Sequence, residues 1–328
     1  MCLIDIFAKI GSRPNLFMKV IRLVGTLLSL SVVISTYTKK RLSEVMRCIS
    51  SLKNQTVSPA EIILVLDPCD ELGEFYKHFV PNDIKIVMSS ERGLSHARNT
   101  GIKNAIGEIV AFIDDDAFAD RTWLEYLIAN YEDPQIMGVG GLVKAIWADE
   151  RPFWFPEELD WIVGCSYKGF QGGKSIIRNP IGCNMSFRRT VFEKIGYFRT
   201  DMGRFGKMLL SNEETELSIR LYKKMPNSKI IYEPSAIVYH NVPKDRETLK
   251  YICTRSFYEG ISKALISSQK KLPATLSQED LYLKYLLGNA IPSRFKQNIG
   301  LKNICQTLIL LLSMFAVLTG YAAYKLGD

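Results

Sequence analysis

The stretch GEIVAFIDDDAFAD, Gly107–Asp120, joins an unbroken apolar run, Ile109–Ile113, to three consecutive aspartates. Five apolar residues without polar alternation fit a strand covered on both faces, as in a parallel sheet. Adjacent carboxylates repel: a like pair about 4 Å apart costs roughly 4 kcal/mol at an effective dielectric near 20. An acidic turn in water relieves that cost. So does a divalent cation, and hard oxygen donors suit Mg2+ or Mn2+. Such a cation keeps coordination positions open for substrate phosphates. The buried strand directly upstream favours the cation. Neighbours on an extended segment alternate sides, so Asp114 and Asp116 are expected to face one way and Asp115 the other.

Upstream, Leu28–Tyr37 and Glu61–Asp67 read as buried strands and Ile84–Ser90 as a third. Leu42–Gln55 carries apolar residues at helical spacing, and Gly93–Ala105 reads as a second helix. Downstream, Arg121–Asp133 is a helix closed by Pro134, and Ile136–Val143 a fifth strand. This alternation calls for a mostly parallel sheet with helices on both faces. Ligands of such sheets bind beyond the carboxyl ends of the strands. Thr36–Tyr37, Asp67 and Asp114–Asp116 therefore converge on one edge.

The second half is less regular. ADERPFWFPEELDW reads as an aromatic loop near a membrane or acceptor. A strand is expected near Cys183–Phe187, and helices over Ser211–Lys224 and Asp245–Ser268. Arg255 on the latter could pair with a phosphate through its planar fork, but as a helix-surface residue it is expected to meet water. From Ile304 to Tyr324 the chain holds no charge. That length reaches the ~20 residues a transmembrane helix needs. Arg294, Lys296 and Lys302 precede it and Lys325 follows, which places the preceding domain in the cytosol. The expected location is the cell membrane, single-pass, with a cytoplasmic catalytic domain. Residues 1–28 read as an amphipathic interfacial segment, not a signal peptide. Seven scattered cysteines without a C-x-x-C pair, and three histidines, argue for reduced thiols and against zinc. A net charge of +8 fits an anionic lipid or substrate; no nucleic acid is expected.

In order, SVVISTY, EIILVLD, RGLSHARNTGIKNAIGEIVAFIDDDA, IGCNMSFRR and SNEETELSIR resemble family 2 glycosyltransferases of the GT-A fold. The resemblance runs from about Ser31 to His240. It is greatest to archaeal and bacterial members of the glucosyl-dolichyl phosphate glucuronosyltransferase kind. It implies an α/β, GT-A (Rossmann-like) fold with a C-terminal transmembrane helix added. It divides the chain into the interfacial segment 1–28, the catalytic domain 29–245, a helical membrane-proximal region 246–298 and the span with its tail, 299–328. Within the domain, 29–143 is the nucleotide-binding half and 144–245 the acceptor half.

The resemblance also implies roles. Thr36 and Tyr37 flank base and ribose, and Asp67 accepts a hydrogen bond from uracil. Arg98 reaches toward nucleotide and donor while Asn99 fixes its loop. Asp114, with Asp115 beside it, contacts ribose or donor sugar. Asp116 binds Mn2+ or Mg2+, and His240 is a further metal or phosphate ligand. Glu214 holds the place of the catalytic base, with Glu213 next to it; the family usually has aspartate there. The residue types suit the chemistry. A metal stabilises a leaving diphosphate and a positioned carboxylate accepts the acceptor's proton. The implied reaction moves one sugar with inversion, from a nucleotide sugar, UDP-linked, to a lipid-linked sugar or a polyprenyl phosphate at the membrane. Since a phosphate oxygen needs no base, Glu214 speaks for a sugar hydroxyl.

Three other readings fare less well. A haloacid dehalogenase-type phosphatase needs its two aspartates after the first strand, and here they follow the fourth. A dinucleotide oxidoreductase needs G-x-G-x-x-G between the first strand and its helix, and GVGGLV at Gly138 has neither the spacing nor the place. A membrane-anchored module that only binds nucleotide sugar leaves Glu214 without a task.

Overall fold

The computed structural model describes residues 28–170, 172–204, 209–268, 277–296 and 300–327. The interfacial segment therefore lies, but for Leu28, outside the described residues.

Strands β1 (Leu30–Thr36), β2 (Glu61–Leu66), β3 (Lys85–Met88) and β4 (Ile109–Asp114) pair in parallel, in the order β3-β2-β1-β4. Helices α1 (Leu42–Lys53), α2 (Asp70–Phe79) and α3 (Leu94–Asn104) connect them. Val32 and Ile34 of β1 enter one core while Val33 enters another. Ala111 and Ile113 of β4 likewise part from Val110 and Phe112. Both faces are covered, which is why these runs show no polar alternation.

The other half of the sheet is mixed. A short β5 (Ala117–Ala119) follows the aspartates, and α4 (Trp123–Ala129) leads to β6 (Ile136–Trp147). Beyond lie β7 (Ser175–Ile176), β8 (Asn184–Arg188), α5 (Arg189–Ile195), α6 (Glu213–Lys224) and β9 (Lys229–Val242). β8 enters antiparallel between β4 and β6, β9 runs parallel to β6, and β5 lies antiparallel on β9. The carboxyl end of β9 thus reaches the same edge as that of β4. Neither α2 nor β9 is in the sequence reading. β9 contains Pro234, which argues against a central strand. A register shift absorbs it, because Gly141 pairs with Glu233 but Leu142 with Ile237. Gly141 is required here: a Cβ would lie 1.9 Å from the Ala236 carbonyl oxygen and 2.4 Å from Asn184 Nδ2. In that space Asn184 donates to the Leu142 and Ala236 carbonyls and accepts from Trp123 Nε1.

The chain ends in helices: α7 (Leu249–Ser268), α8 (Ser277–Tyr285), a π-helical turn (Leu286–Ala290), α9 (Ile291–Lys296) and α10 (Leu301–Gly327). α10 is long and apolar enough to cross a membrane. It packs lengthwise on α7. Cβ atoms at Gly260 and Gly320 would fall 2.0 and 1.9 Å from the carbonyl oxygens of Val317 and Phe257, so only glycine allows this crossing. Ser256 hydrogen-bonds Ser313, and Ser267 bonds Tyr321. Leu308, Leu311, Phe315 and Leu318, at helical spacing, are exposed.

Candidate active site

A cleft of about 1530 Å³ opens at the carboxyl edge of the sheet and runs back to α8 and α10. That exceeds the roughly 300–1,000 Å³ of a pocket for one small ligand. Topology delivers its acids. β4 ends at Asp114, and the chain turns through Asp115 and Asp116 into β5. Ala117 pairs with His240, and the Asn241 amide donates to the Asp116 carbonyl. His240 Nε2 therefore stands 3.2 Å from Asp116 Oδ1.

The expected alternation of the aspartates fails, because the pleat that enforces it stops at Asp114. Asp115 and Asp116 instead share Arg41, at 2.5 and 3.2 Å, and Arg246 lies 3.5 Å from Asp116. Asp114 faces Arg98 at 3.5 Å. Burial works against the charges on Asp116 and His240, but each sustains the other. Asp116 is held well below the usual carboxylate range by His240, Arg41 and Arg246. His240 is pushed up by Asp116. Burial, then the Asp116 charge, pushes Asp115 up against the pull of Arg41.

Asp114, Cys183 and His240 each bring one donor atom within 4.8 Å of the others. With Asp116 they form a set of carboxylate oxygens around one imidazole nitrogen. That set fits a divalent cation of the Mn2+ type better than Mg2+, which is seldom met by imidazole. Burial beside Asp114 and Asp116 pushes the Cys183 thiol up, so it stays protonated and is a poor ligand.

Arg98 does not reach free into the cleft. It is 3% exposed, donates to Glu213 Oε1 at 2.5 Å and to the Gly182 carbonyl at 3.1 Å, and so clamps α6 to the acidic edge. Asn99 holds the Phe198 backbone through both its amide and its carbonyl. Glu213 is thereby held in an ion pair. Glu214, beside it on the cleft wall, is pushed up to about 7 by burial and then by the Glu213 charge. Asn212 immediately precedes the pair. Its φ of 74° is left-handed, the one such non-glycine residue among those described. Asparagine tolerates that region better than most residues. Its side chain is held by Glu259 Oε1 at 3.0 Å and Lys263 Nζ at 2.8 Å.

At the other end, Asp67 accepts from the Gly93 amide at 3.3 Å, and burial pushes it up against that bond. Thr36 is buried beneath it, while Tyr37 is 62% exposed with Arg41 over its ring at 5.4 Å. Of the residues to which the resemblance assigns a role, all but Asn99 line this one cleft.

Sequence reasoning missed Arg41, Arg246 and Asn212, and misplaced Arg255, which is 7% exposed and not on a helix surface. Their signal was positional. Arg41 follows the end of β1 by five residues, Arg246 follows His240 by six, and Asn212 precedes the acid pair. The aromatic segment expected near an acceptor forms a 3-10 helix, Glu157–Val163, whose Leu159 and Trp161 line the cleft.

Comparison with known proteins agrees with this geometry. The family described as "Glycosyl transferase family 2" matches residues 31–196. Glucosyl-dolichyl phosphate glucuronosyltransferase of Haloferax volcanii is 31% identical over 301 residues, 90% of this chain and 95% of that protein. The succinoglycan biosynthesis protein ExoM of Rhizobium meliloti is 24% identical over 254 residues, 74% and 76% of the two chains. The mannosyltransferase PcManGT of Pyrobaculum calidifontis, solved with GDP-Man and Mn2+, superposes with a TM-score of 0.55 at 18% identity over 98% of this chain and 92% of its own. GalNAc-T7, solved with UDP, GalNAc and Mn2+, gives 0.53 at 18% identity over 81% of this chain and 57% of its own. These structural likenesses are of fold, the GT-A fold. The chain belongs to glycosyl transferase family 2 and is a glycosyltransferase.

Proposed function

We propose that the enzyme moves one sugar, with inversion, from a UDP-linked donor to a hydroxyl of a lipid-linked sugar. Glu214 carries the reading. It is a cleft carboxylate, across from the acidic edge, whose affinity for a proton lies near neutrality, where a general base works best. Tyr37, Thr36 and Asp67 would receive the base and ribose. Asp116 and His240, with Asp114, would hold a divalent cation. When bound, that cation supplies positive charge to a leaving diphosphate. Arg41 and Arg246 stand beside the same aspartates and add charge there. Glu214 takes the proton of the incoming hydroxyl while Arg98 keeps Glu213 turned away from it. A base on the face opposite the leaving group implies inversion.

The Haloferax relative is named for transfer to a glucosyl-dolichyl phosphate. A glucosyl lipid phosphate is accordingly the first acceptor to try. We place the enzyme at a membrane through α10. Its Ser313–Tyr321 stretch rests on the part of α7 that also touches Ser211 and Asn212, close to Glu214. A helix crossing the bilayer in that pose would carry the polar cleft into hydrocarbon. Seating along the membrane surface, with the exposed leucines immersed, avoids this. The test is a panel of nucleotide sugars with Mn2+ and glucosyl lipid phosphate, for wild type and Glu214→Gln. Transfer lost by at least ~100-fold in the variant is expected. Full activity in the variant refutes the base.

A further inference from the structure

The back of the cleft holds a second charged group, away from the acidic edge. Arg255 and Lys263 of α7 face Glu259 of α7, Glu279 of α8, and Arg178. Arg255 donates to Glu259 at 2.9 Å. Lys263 contacts Glu259 at 3.2 Å and Glu279 at 2.6 Å. Arg178 binds Glu279 with both terminal nitrogens, at 2.6 and 2.8 Å. Three cations thus meet two carboxylates. Burial opposes the acids' charge, but Lys263 and Arg255 hold Glu259 well below the usual range, and Lys263 and Arg178 do the same for Glu279. Both acids stay ionised. Arg255 is 7% exposed, lines the cleft, and its Nε has no hydrogen-bond partner among the described residues. A buried guanidinium donor left unmatched calls for an anion.

We propose that Arg255 and Lys263 bind the phosphodiester of the acceptor, which is a single sugar joined through that phosphodiester to an apolar chain. This rests on the transferase reading above and assigns its acceptor a site. Spacing allows one sugar. Lys263 Nζ bonds Asn212, two residues from Glu214. Two residues of backbone span at most about 7 Å, so the cation lies near enough to the base for a short acceptor head group. The same cleft has an apolar wall: Leu283, Leu286 and Leu287 of α8 and the π-helical turn, with Val317 and Leu318 of α10. Leu287 and Leu318 are more than half exposed, so this wall leads out of the protein beside the apolar stripe of α10. Base, cation pair and apolar wall share this one cleft, and they match the three parts of such an acceptor.

The experiment compares three acceptors: glucosyl phosphoryl-geranylgeraniol, geranylgeranyl glucoside, and glucosyl ethyl phosphate. Wild type should show a KM at least ~10-fold lower for the first than for either of the others. Arg255→Gln should raise the KM for the first by ~10-fold or more, change that for the neutral glucoside less than ~2-fold, and be partly restored in Arg255→Lys. Equal KM for charged and neutral acceptors, or an equal rise on both in the variant, overturns the site. Calorimetric binding of glucosyl phosphoryl-geranylgeraniol to wild type and Arg255→Gln needs no turnover. If no acceptor is glycosylated but binding is strong and lost in the variant, the transfer reading fails and the anion site stands. If wild type does not bind it, the anion site fails.

Discussion

Glu213→Gln should move the acidic limb of the rate profile down by about one pH unit. Glu214 is lifted from 4.5 to about 7, first by burial and second by Glu213, against Arg98 and Lys263. At about 1.4 kcal/mol per unit, that lift is on the order of 3 kcal/mol. A like pair about 4 Å apart interacts by roughly 4 kcal/mol at a dielectric near 20, and the Glu213 share is smaller than that because burial takes the larger part of the lift. Substitution removes that charge and also frees Arg98 Nη1, now 2.5 Å from Glu213, to face Glu214. Both effects lower the affinity of Glu214 for its proton. The sign for activity follows. The base works ionised, so wild-type kcat/KM should fall about tenfold per unit below pH 7 and level off above it. In the variant the midpoint should lie near 6. Arg98 keeps Asp114 and the Gly182 carbonyl, so melting temperature checks that the fold survives. The assay is kcat/KM against pH at saturating Mn2+ for wild type, Glu213→Gln and Glu214→Gln. A midpoint that stays or rises in Glu213→Gln refutes the reasoning, as does the same limb persisting in Glu214→Gln.

Asp116→Asn and His240→Ala should each lower turnover by roughly 10²–10³-fold, the equivalent of several kcal/mol of charge stabilisation. Mn2+ titration followed by electron paramagnetic resonance should show weakened binding in both. Gly141→Ala forces a Cβ against the Ala236 carbonyl and Asn184; a loss of about 1–3 kcal/mol is expected, read in chemical denaturation. Gly320→Val presses on the Phe257 carbonyl and should part α10 from α7. Thermal melting should fall by several degrees, and a cysteine pair at Ser256 and Ser313 that cross-links in wild-type background should cease to do so.

The parallel half of the sheet was legible because its strands are buried on both faces and so contain nothing but apolar residues. Val32–Ile34 and Ile109–Ile113 admit no other element of that length between helices. The mixed half was not. Pro234 disguises β9, and only the bulge opposite Gly141 shows how a proline fits. At the site, residues carried by strand ends were readable, since an acid after an apolar run stands out. Residues that act through distant partners were not. Arg41 looks like any lysine-arginine cluster at a helix start, and its role appears only when Asp115 and Asp116 turn toward it. Arg255 looks like a surface charge until Glu259 and the Trp161 ring meet it.

Charge counting at the acidic edge says why donor and cation should bind together. Asp114, Asp115, Asp116 and Glu213 face Arg41, Arg98, Arg246 and a protonated His240, so four negative charges meet four positive ones. A neutral edge offers a nucleoside diphosphate little attraction. A divalent cation taking the imidazole nitrogen displaces one proton and adds two charges, and the edge becomes positive by one. Only then does it suit a diphosphate. Binding of each should therefore strengthen the other, and by linkage to the same extent. Uridine diphosphate titrated calorimetrically with and without Mn2+ measures that coupling. Equal affinity in both titrations would mean that the arginines alone suffice, and that the aspartates serve some end other than holding a metal for the donor.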